Sequence, residues 1–263
     1  MRRHWDILVA YFGQFLKARL SYRADFIVDS LAVVGALVVN LAFLGVIYAK
    51  IRTLAGWSLE QLIFIHGFSL VPLGIFNLVS QNLWSFSERY LVEGRFDRVL
   101  LRPVHPVFQV VFESFNVASL SEVALGSVLM AVFGAKLGLH VRPSDAVAFP
   151  VLAVSAAAVY VGVFLLLTAV SFWFEDRLGV GPPVYNMIRF ARYPVTIYHP
   201  AVRILLSWVV PFAFAAFYPA TSLLRVSAFH LFAALTPVMG AVCLAVAVFA
   251  FGRGARRYAS TGH

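Results

Sequence analysis

Glu93-Gly94-Arg95-Phe96-Asp97-Arg98-Val99-Leu100-Leu101-Arg102-Pro103 is a polar island between two long apolar runs. Wound as a helix, Phe96, Val99, Leu100 and Pro103 follow the i, i+3, i+4, i+7 rule and share one face. Arg95, Arg98 and Arg102 fall on the opposite side. Gly94 permits a sharp turn into the helix, and Pro103 with Pro106 stops its continuation. The spacing predicts a short amphipathic helix of roughly two turns, tied at both ends. Beside a membrane it has two readings. It is a solvated loop whose arginines follow the positive-inside rule, or it is a rigid knob on which a partner protein docks.

The flanking sequence supplies the membrane. The chain has 263 residues, 61% of them hydrophobic and only 13% charged, with a mean hydropathy of +0.85. A soluble domain carries about 25% charged residues. Apolar runs longer than about 18 residues recur, and each is long enough to cross a bilayer as a helix. The runs are continuous rather than alternating in units of about ten residues, which disfavours a β-barrel. The fold class is therefore all-α: a polytopic membrane protein. A net charge of +9 would suggest nucleic acid in a soluble protein. Here the cations lie between apolar runs, so membrane lipids explain them and no nucleic acid is expected. The lone Cys243 excludes a disulfide within the chain and a cysteine-based zinc site.

Taken in order, residues 1–23 place Trp5, Leu8, Phe12, Phe15, Leu16 and Leu20 on one stripe, which predicts a helix lying in the interface. Six spans follow, at about 26–48, 59–86, 107–134, 146–174, 204–218 and 231–251. Residues 87–106 form the polar loop after the second span. Pro72 interrupts that span, which a bilayer tolerates where neighbours satisfy the freed carbonyl. Residues 219–230 are semi-apolar yet too short to cross again, and they predict a shallow re-entrant segment after the break at Pro211 and Pro219. The whole of 1–263 reads as one transmembrane domain.

The cations orient it. Arg2, Arg3, Lys17, Arg19 and Arg23 precede span one, Arg89, Arg95, Arg98 and Arg102 follow span two, and Arg177, Arg189, Arg192 and Arg203 follow span four. Arg253, Arg256 and Arg257 close the chain. That face holds 16 of the 21 cations, against Lys50, Arg52, Lys136, Arg142 and Arg225 on the other. Both termini and the polar island are expected in the cytoplasm.

With this topology in place, the 93–103 string resembles the first cytoplasmic loop of ABC-2-type transporter permeases. It is most similar to the bacterial subgroup whose loop reads Gly-x-Phe-Asp-x-x-Leu-Leu-Arg-Pro. A second similar string runs from Tyr193-Pro194 through Val209-Val210-Pro211-Phe212-Ala213-Phe214 to Tyr218-Pro219-Ala220. The resemblance covers essentially the whole chain. It implies the permease half of an ATP-driven exporter in the bacterial inner (cytoplasmic) membrane. It also implies a separate cytoplasmic ABC ATPase carrying ATP and Mg, and a second permease chain, identical or related. The loop then corresponds to a coupling helix, with Gly94, Arg95, Phe96, Asp97, Arg98, Leu100, Leu101, Arg102 and Pro103 as its coupling residues. Phe96 and Leu100 are expected to fill an apolar groove on the ATPase. The region of Pro211 and Pro219 corresponds to an outer re-entrant cap.

The residues themselves place the motor elsewhere. A P-loop needs Gly-Lys-Ser/Thr to hold phosphates, and glycine precedes none of Lys17, Lys50 and Lys136. The chain is expected to carry no cofactor and no metal: its histidines are scattered and form no zinc signature. It is read as a transport subunit and not an enzyme. The intramembrane acids are the candidate pathway groups. Glu113 and Glu122 lie nine residues apart, about 180° around a helix, so they are no paired-carboxylate site. Asn116 shares the side of Glu113, and His66 sits in span two. Glu122 at the middle of a span is a charge that must be neutral, paired or wet, and it would suit recognition of a cationic group. Two further classes stay open: an ATP-independent channel or secondary transporter using Glu122, and an intramembrane enzyme, for which Glu175-Asp176 is the only acid pair.

Overall fold

The computed structural model describes residues 23–83, 85–174 and 181–258. The interfacial helix expected at 1–23, apart from Arg23, and the Glu175-Asp176 pair lie outside them. The helices are α1 (Arg23–Tyr48), α2 (Leu59–Val79), α3 (Phe96–Leu101), α4 (Pro106–Phe112), α5 (Leu120–Lys136), α6 (Pro143–Phe174), α7 (Gly181–Ala191), α8 (Pro200–Ile204), α9 (Phe217–Leu223) and α10 (His230–Ala255). Among the described residues there is no strand. Among the described residues five helical stretches, Ser30–Tyr48, Leu59–Val79, Val117–Lys136, Pro143–Phe174 and Ser227–Ala255, built on α1, α2, α5, α6 and α10, are long and apolar enough to cross a membrane. The protein is an all-α polytopic membrane protein.

Local chemistry sets the helix ends. Ser58 opens α2 with a capping box: its hydroxyl accepts from the Gln61 amide, and the Gln61 side chain accepts from the Ser58 amide, so two orphan donors are satisfied together. The helix continues through Pro72 and stops at Val79, short of the expected 86. A 3-10 turn at Gln81–Leu83 and a π-helical turn at Ser87–Val92 carry the chain on to the polar island.

The helices pack as two intimate pairs. Gly126 of α5 approaches Gly67 of α2 so closely that a Cβ at 126 would lie 2.5 Å from the Gly67 carbonyl oxygen. Gly240 of α10 meets the Ser155 carbonyl of α6 in the same way. Small residues allow this backbone approach, which replaces the hydrophobic drive that lipid removes. Aromatic rings fill the space between the pairs in three levels. Phe86, Phe96, Phe172 and Phe251 pack at the α3 end, with Phe96 and Phe172 centroids 5.2 Å apart. Phe76, Tyr160, Phe164 and Phe212 hold the middle. Trp57, Phe217, Tyr218 and Phe229 close the opposite end.

These levels correct two expected spans. The stretch 107–134 is not one helix: α4 ends at Phe112, residues 113–116 are irregular, and a short 3-10 turn leads into α5. The break persists because the Asn116 amide finds a tertiary acceptor, the Leu78 carbonyl, at 2.9 Å. Nor does 204–218 run from end to end. Thr196 accepts a hydrogen bond from the Trp57 indole at 2.9 Å, which puts the residues before α8 at the Trp57 end. The chain then descends to the middle level at Phe212, bends by 71° between Pro200–Val209 and Phe212–Leu223, and climbs back to pack Phe217 against Trp57. This hairpin is re-entrant over 200–223, a longer segment than the expected 219–230. The link between the two ends is instead α7 with the residues up to Tyr198. Tyr185 packs on Phe164, and Tyr193 accepts from Asn40 of α1 at 3.2 Å. Gly181–Ala191 hides from a hydropathy reading because it carries Asn186 and Arg189 among its apolar residues.

Candidate functional site

The polar island forms α3 as its pattern requires, and the fold then decides which side faces out. Gly94 has φ of +69°, a left-handed conformation that costs a residue with a Cβ about 1–2 kcal/mol. The chain thereby turns sharply from the π-helical turn into α3. Phe96 is 0% exposed, and Val99 is also buried. Phe96 is wedged among Phe86, Phe172, Phe251 and Tyr258. It therefore cannot be the anchor that fills a partner's groove. The projecting apolar residues are Leu100 and, most of all, Leu101, which is 84% exposed. Pro103 is exposed beside them.

The charged residues of α3 are distributed around this wedge. Arg95 pairs with Glu93 at 2.8 Å on the surface, an exposed contact of small energetic weight. Asp97 stands against Tyr258, whose phenol is pushed up by burial and then by the Asp97 charge. Arg98 and Arg102 are exposed. Gln109 of α4 was missed by pattern reading. Its buried amide donates to the Val99 carbonyl at 3.0 Å and the Val104 carbonyl at 2.7 Å. One side chain thus ties the end of α3 to α4, and it makes the knob rigid.

Beside α3 lies a cavity of about 530 Å³. Arg89, Arg95, Arg98 and Arg102 line it, with Asn82, Tyr90, Glu113 and Ser114. Glu113 therefore sits in the α4–α5 break at the α3 end, not two turns inside a continuous helix. It accepts a hydrogen bond from the Tyr90 hydroxyl. The Asn116 backbone N–H donates to the Leu78 carbonyl.

The other candidate acid lies elsewhere. Glu122, in the first turn of α5, accepts from Asn77 of α2 at 2.9 Å, and a further hydrogen bond joins Asn77 to Tyr185 of α7. Arg192, just past α7, acts electrostatically on Glu122 and on the buried His66. Three helices are thus cross-linked by one polar node. Asn77, Tyr185 and Arg192 carried no sequence signal, because their partners lie far along the chain. Pro211 stands at the bend of the re-entrant hairpin, and Pro219 lies inside α9. Among the described residues no three His, Cys, Asp or Glu side chains gather as a metal site.

The geometry defines a multi-pass helical membrane bundle with a tied knob at one end and a re-entrant hairpin at the other. The family profile described as ABC-2 family transporter protein matches residues 34–262, and the chain belongs to that family. No curated protein and no solved structure matches the chain. The protein is thus an ABC-2 type transporter permease subunit.

Proposed function

We propose that this permease is half of an ATP-driven exporter in the bacterial inner membrane, coupled through α3 to a separate cytoplasmic ATPase and paired with a second permease chain. ATP and Mg are held by the ATPase. The observation that carries the proposal is the two-sided character of α3. Its inner side, Phe96 and Val99, is buried against Phe172 of α6 and Phe251 of α10, whereas Leu100 and Leu101 project from it. A push on Leu101 is delivered through a close-packed aromatic wedge to two long helices, because interiors of crystal-like density transmit displacement. The Asn77–Glu122–Tyr185 node is the part of the pathway that such movement would rearrange. The Asn77 amide already donates to one oxygen of the Glu122 carboxylate.

Paired substitutions test this. Leu101→Asp places a charge where an apolar anchor is needed. Loss of one buried anchor at an interface costs about 2 kcal/mol or more, so the ATPase should no longer co-purify, with the permease's thermal stability unchanged. Phe96→Ala should do the converse first, lowering stability by about 3–5 kcal/mol as other large-to-small core changes do. A Leu101→Asp permease that retains its ATPase and transports normally would remove the coupling role from α3.

A further inference from the structure

The arginine-lined cavity beside α3 has a use that coupling does not explain. We propose that it binds the phosphodiester headgroup of an anionic phospholipid from the leaflet at the α3 end. Four guanidinium-bearing residues, Arg89, Arg95, Arg98 and Arg102, surround about 530 Å³ of space, and Glu113 is the sole acid among the lining residues. Four guanidinium charges stand against Glu113 and the Glu93 carboxylate that Arg95 holds at 2.8 Å, so the cavity's net charge is positive even with both acids ionised. Guanidinium groups suit phosphate oxygens because their planar forks donate two parallel hydrogen bonds. The floor is built rather than incidental. Asn82, buried, donates to the Val110 carbonyl at 3.1 Å. Its own oxygen accepts from Ser114 at 2.6 Å and from Arg89 at 3.4 Å. Tyr90, also buried, holds Glu113 by a hydrogen bond. These bonds hold Asn82, Ser114, Glu113 and Arg89 in place at the floor of the cavity.

A second observation points to a lipid rather than a free anion. An apolar groove of about 550 Å³ lies between Val79, Phe108 and Val111 on one side and Val161, Leu244 and Val248 on the other. Neighbouring parts of two stretches wall the two spaces, which have no lining residue in common. Residues 75–79 and 107–112 bound the groove, and residues 82–90 and 113–114 continue from them to bound the cavity. A basic box adjoining apolar walls at a bundle's end offers a headgroup and an acyl chain one site each. The lipid then lies directly against α3, where its charge steadies the helix that bears Leu101.

The experiment uses the purified full-length permease without any ATPase, in nanodiscs of phosphatidylcholine with and without phosphatidylglycerol, followed by native mass spectrometry of retained lipid. Phosphatidylglycerol should be retained in preference to phosphatidylcholine. Arg89→Gln with Arg98→Gln should weaken that preference roughly thirtyfold, since each arginine near an anionic surface contributes about a factor of five. Glu113→Gln should strengthen it, a gain that no folding defect mimics. Arg52→Gln, at the opposite end, should change nothing. Equal retention of the two lipids, or all variants behaving as the parent, would overturn the proposal. Displacement of phosphatidylglycerol by millimolar inorganic phosphate alone would reassign the cavity to a soluble anion. Its loss on adding the ATPase would reassign the arginines to acidic side chains of that subunit. Because binding is read on the permease alone, failure here leaves the coupling proposal to its own test.

Discussion

Asn77 serves two partners with one amide, and that makes it the residue on which the intramembrane node depends. It donates to Glu122 at 2.9 Å and bonds Tyr185 as well, joining α2, α5 and α7. Interhelical hydrogen bonds in a membrane protein contribute on average about 0.6 kcal/mol and at most about 1.7. A double-mutant cycle of Asn77→Ala and Glu122→Ala, read by thermal unfolding in detergent, should return a coupling energy in that range. Glu122→Gln, which keeps an acceptor for Asn77, should leave stability nearly intact. Should Glu122→Gln also abolish substrate-stimulated ATP hydrolysis by the assembled complex, the carboxylate belongs to the pathway and not only to the scaffold. At this scale the sequence was legible where a residue's role is local. Gly94 announced its turn, and the island announced its helix. Phe96 was read with the wrong neighbour, and its expected face divides: Phe96 and Val99 are buried in their own bundle whereas Leu100 and Pro103 are exposed, because periodicity does not say which part of an apolar side the bundle covers. Asn77 left no trace because both its partners are more than forty residues distant.

The helix pairs rest on close backbone approach, and one methyl group tests them. A Cβ at Gly126 would meet the Gly67 carbonyl oxygen at 2.5 Å and the Leu70 and Val71 side chains at 3.0 Å. Backbone cannot retreat as a flexible side chain can, so α2 and α5 must part. Gly126→Ala should therefore destabilise by about 1–3 kcal/mol, the usual cost of overpacking, seen as a lower melting temperature. Gly35→Ala in α1, where nothing lies within 4 Å, should be neutral. Equal melting temperatures for the two variants would show that the α2–α5 contact is not this tight. Elements of this kind were legible in proportion to their uniformity. The long apolar runs α1, α6 and α10 follow directly from hydropathy, with ends within a few residues of expectation. The broken stretch 113–116 was not readable, since it is held by distant partners, Tyr90 on Glu113, Asn82 on Ser114 and Leu78 on Asn116, and not by any breaker in its own sequence.

At the scale of the molecule, six apolar runs predicted the right class, yet one of them was assigned to the wrong segment. Residues 204–218 are apolar enough to cross but turn back at Phe212, and Gly181–Ala191 with the following turn makes the passage despite Arg189 and Arg192. The segment is amphipathic: α7 packs Ile188 and Ala191 into the core and leaves Asn186 and Arg189 exposed, so it carries no continuous apolar run that hydropathy could find. The relocation moves Arg203 to the Trp57 end and Arg192 into the bundle. The cation bias still favours the end that carries α3 and the tail. Thiol labelling decides the matter. In a Cys243→Ala background, which removes the only native cysteine, single cysteines are placed at Thr53, Ser144, His199, Pro103 and Ser260. Thr53, Ser144 and His199 should react with an impermeant reagent applied to intact cells, and Pro103 and Ser260 only after lysis. His199 is the discriminating position. A crossing at 204–218 puts it with Pro103, whereas the Thr196–Trp57 hydrogen bond puts it with Thr53. Protection of His199 alongside exposure of Thr53 would return the crossing to 204–218. Labelling of Ser260 from outside would invert the whole bundle, and with it the side on which an ATPase meets Leu101.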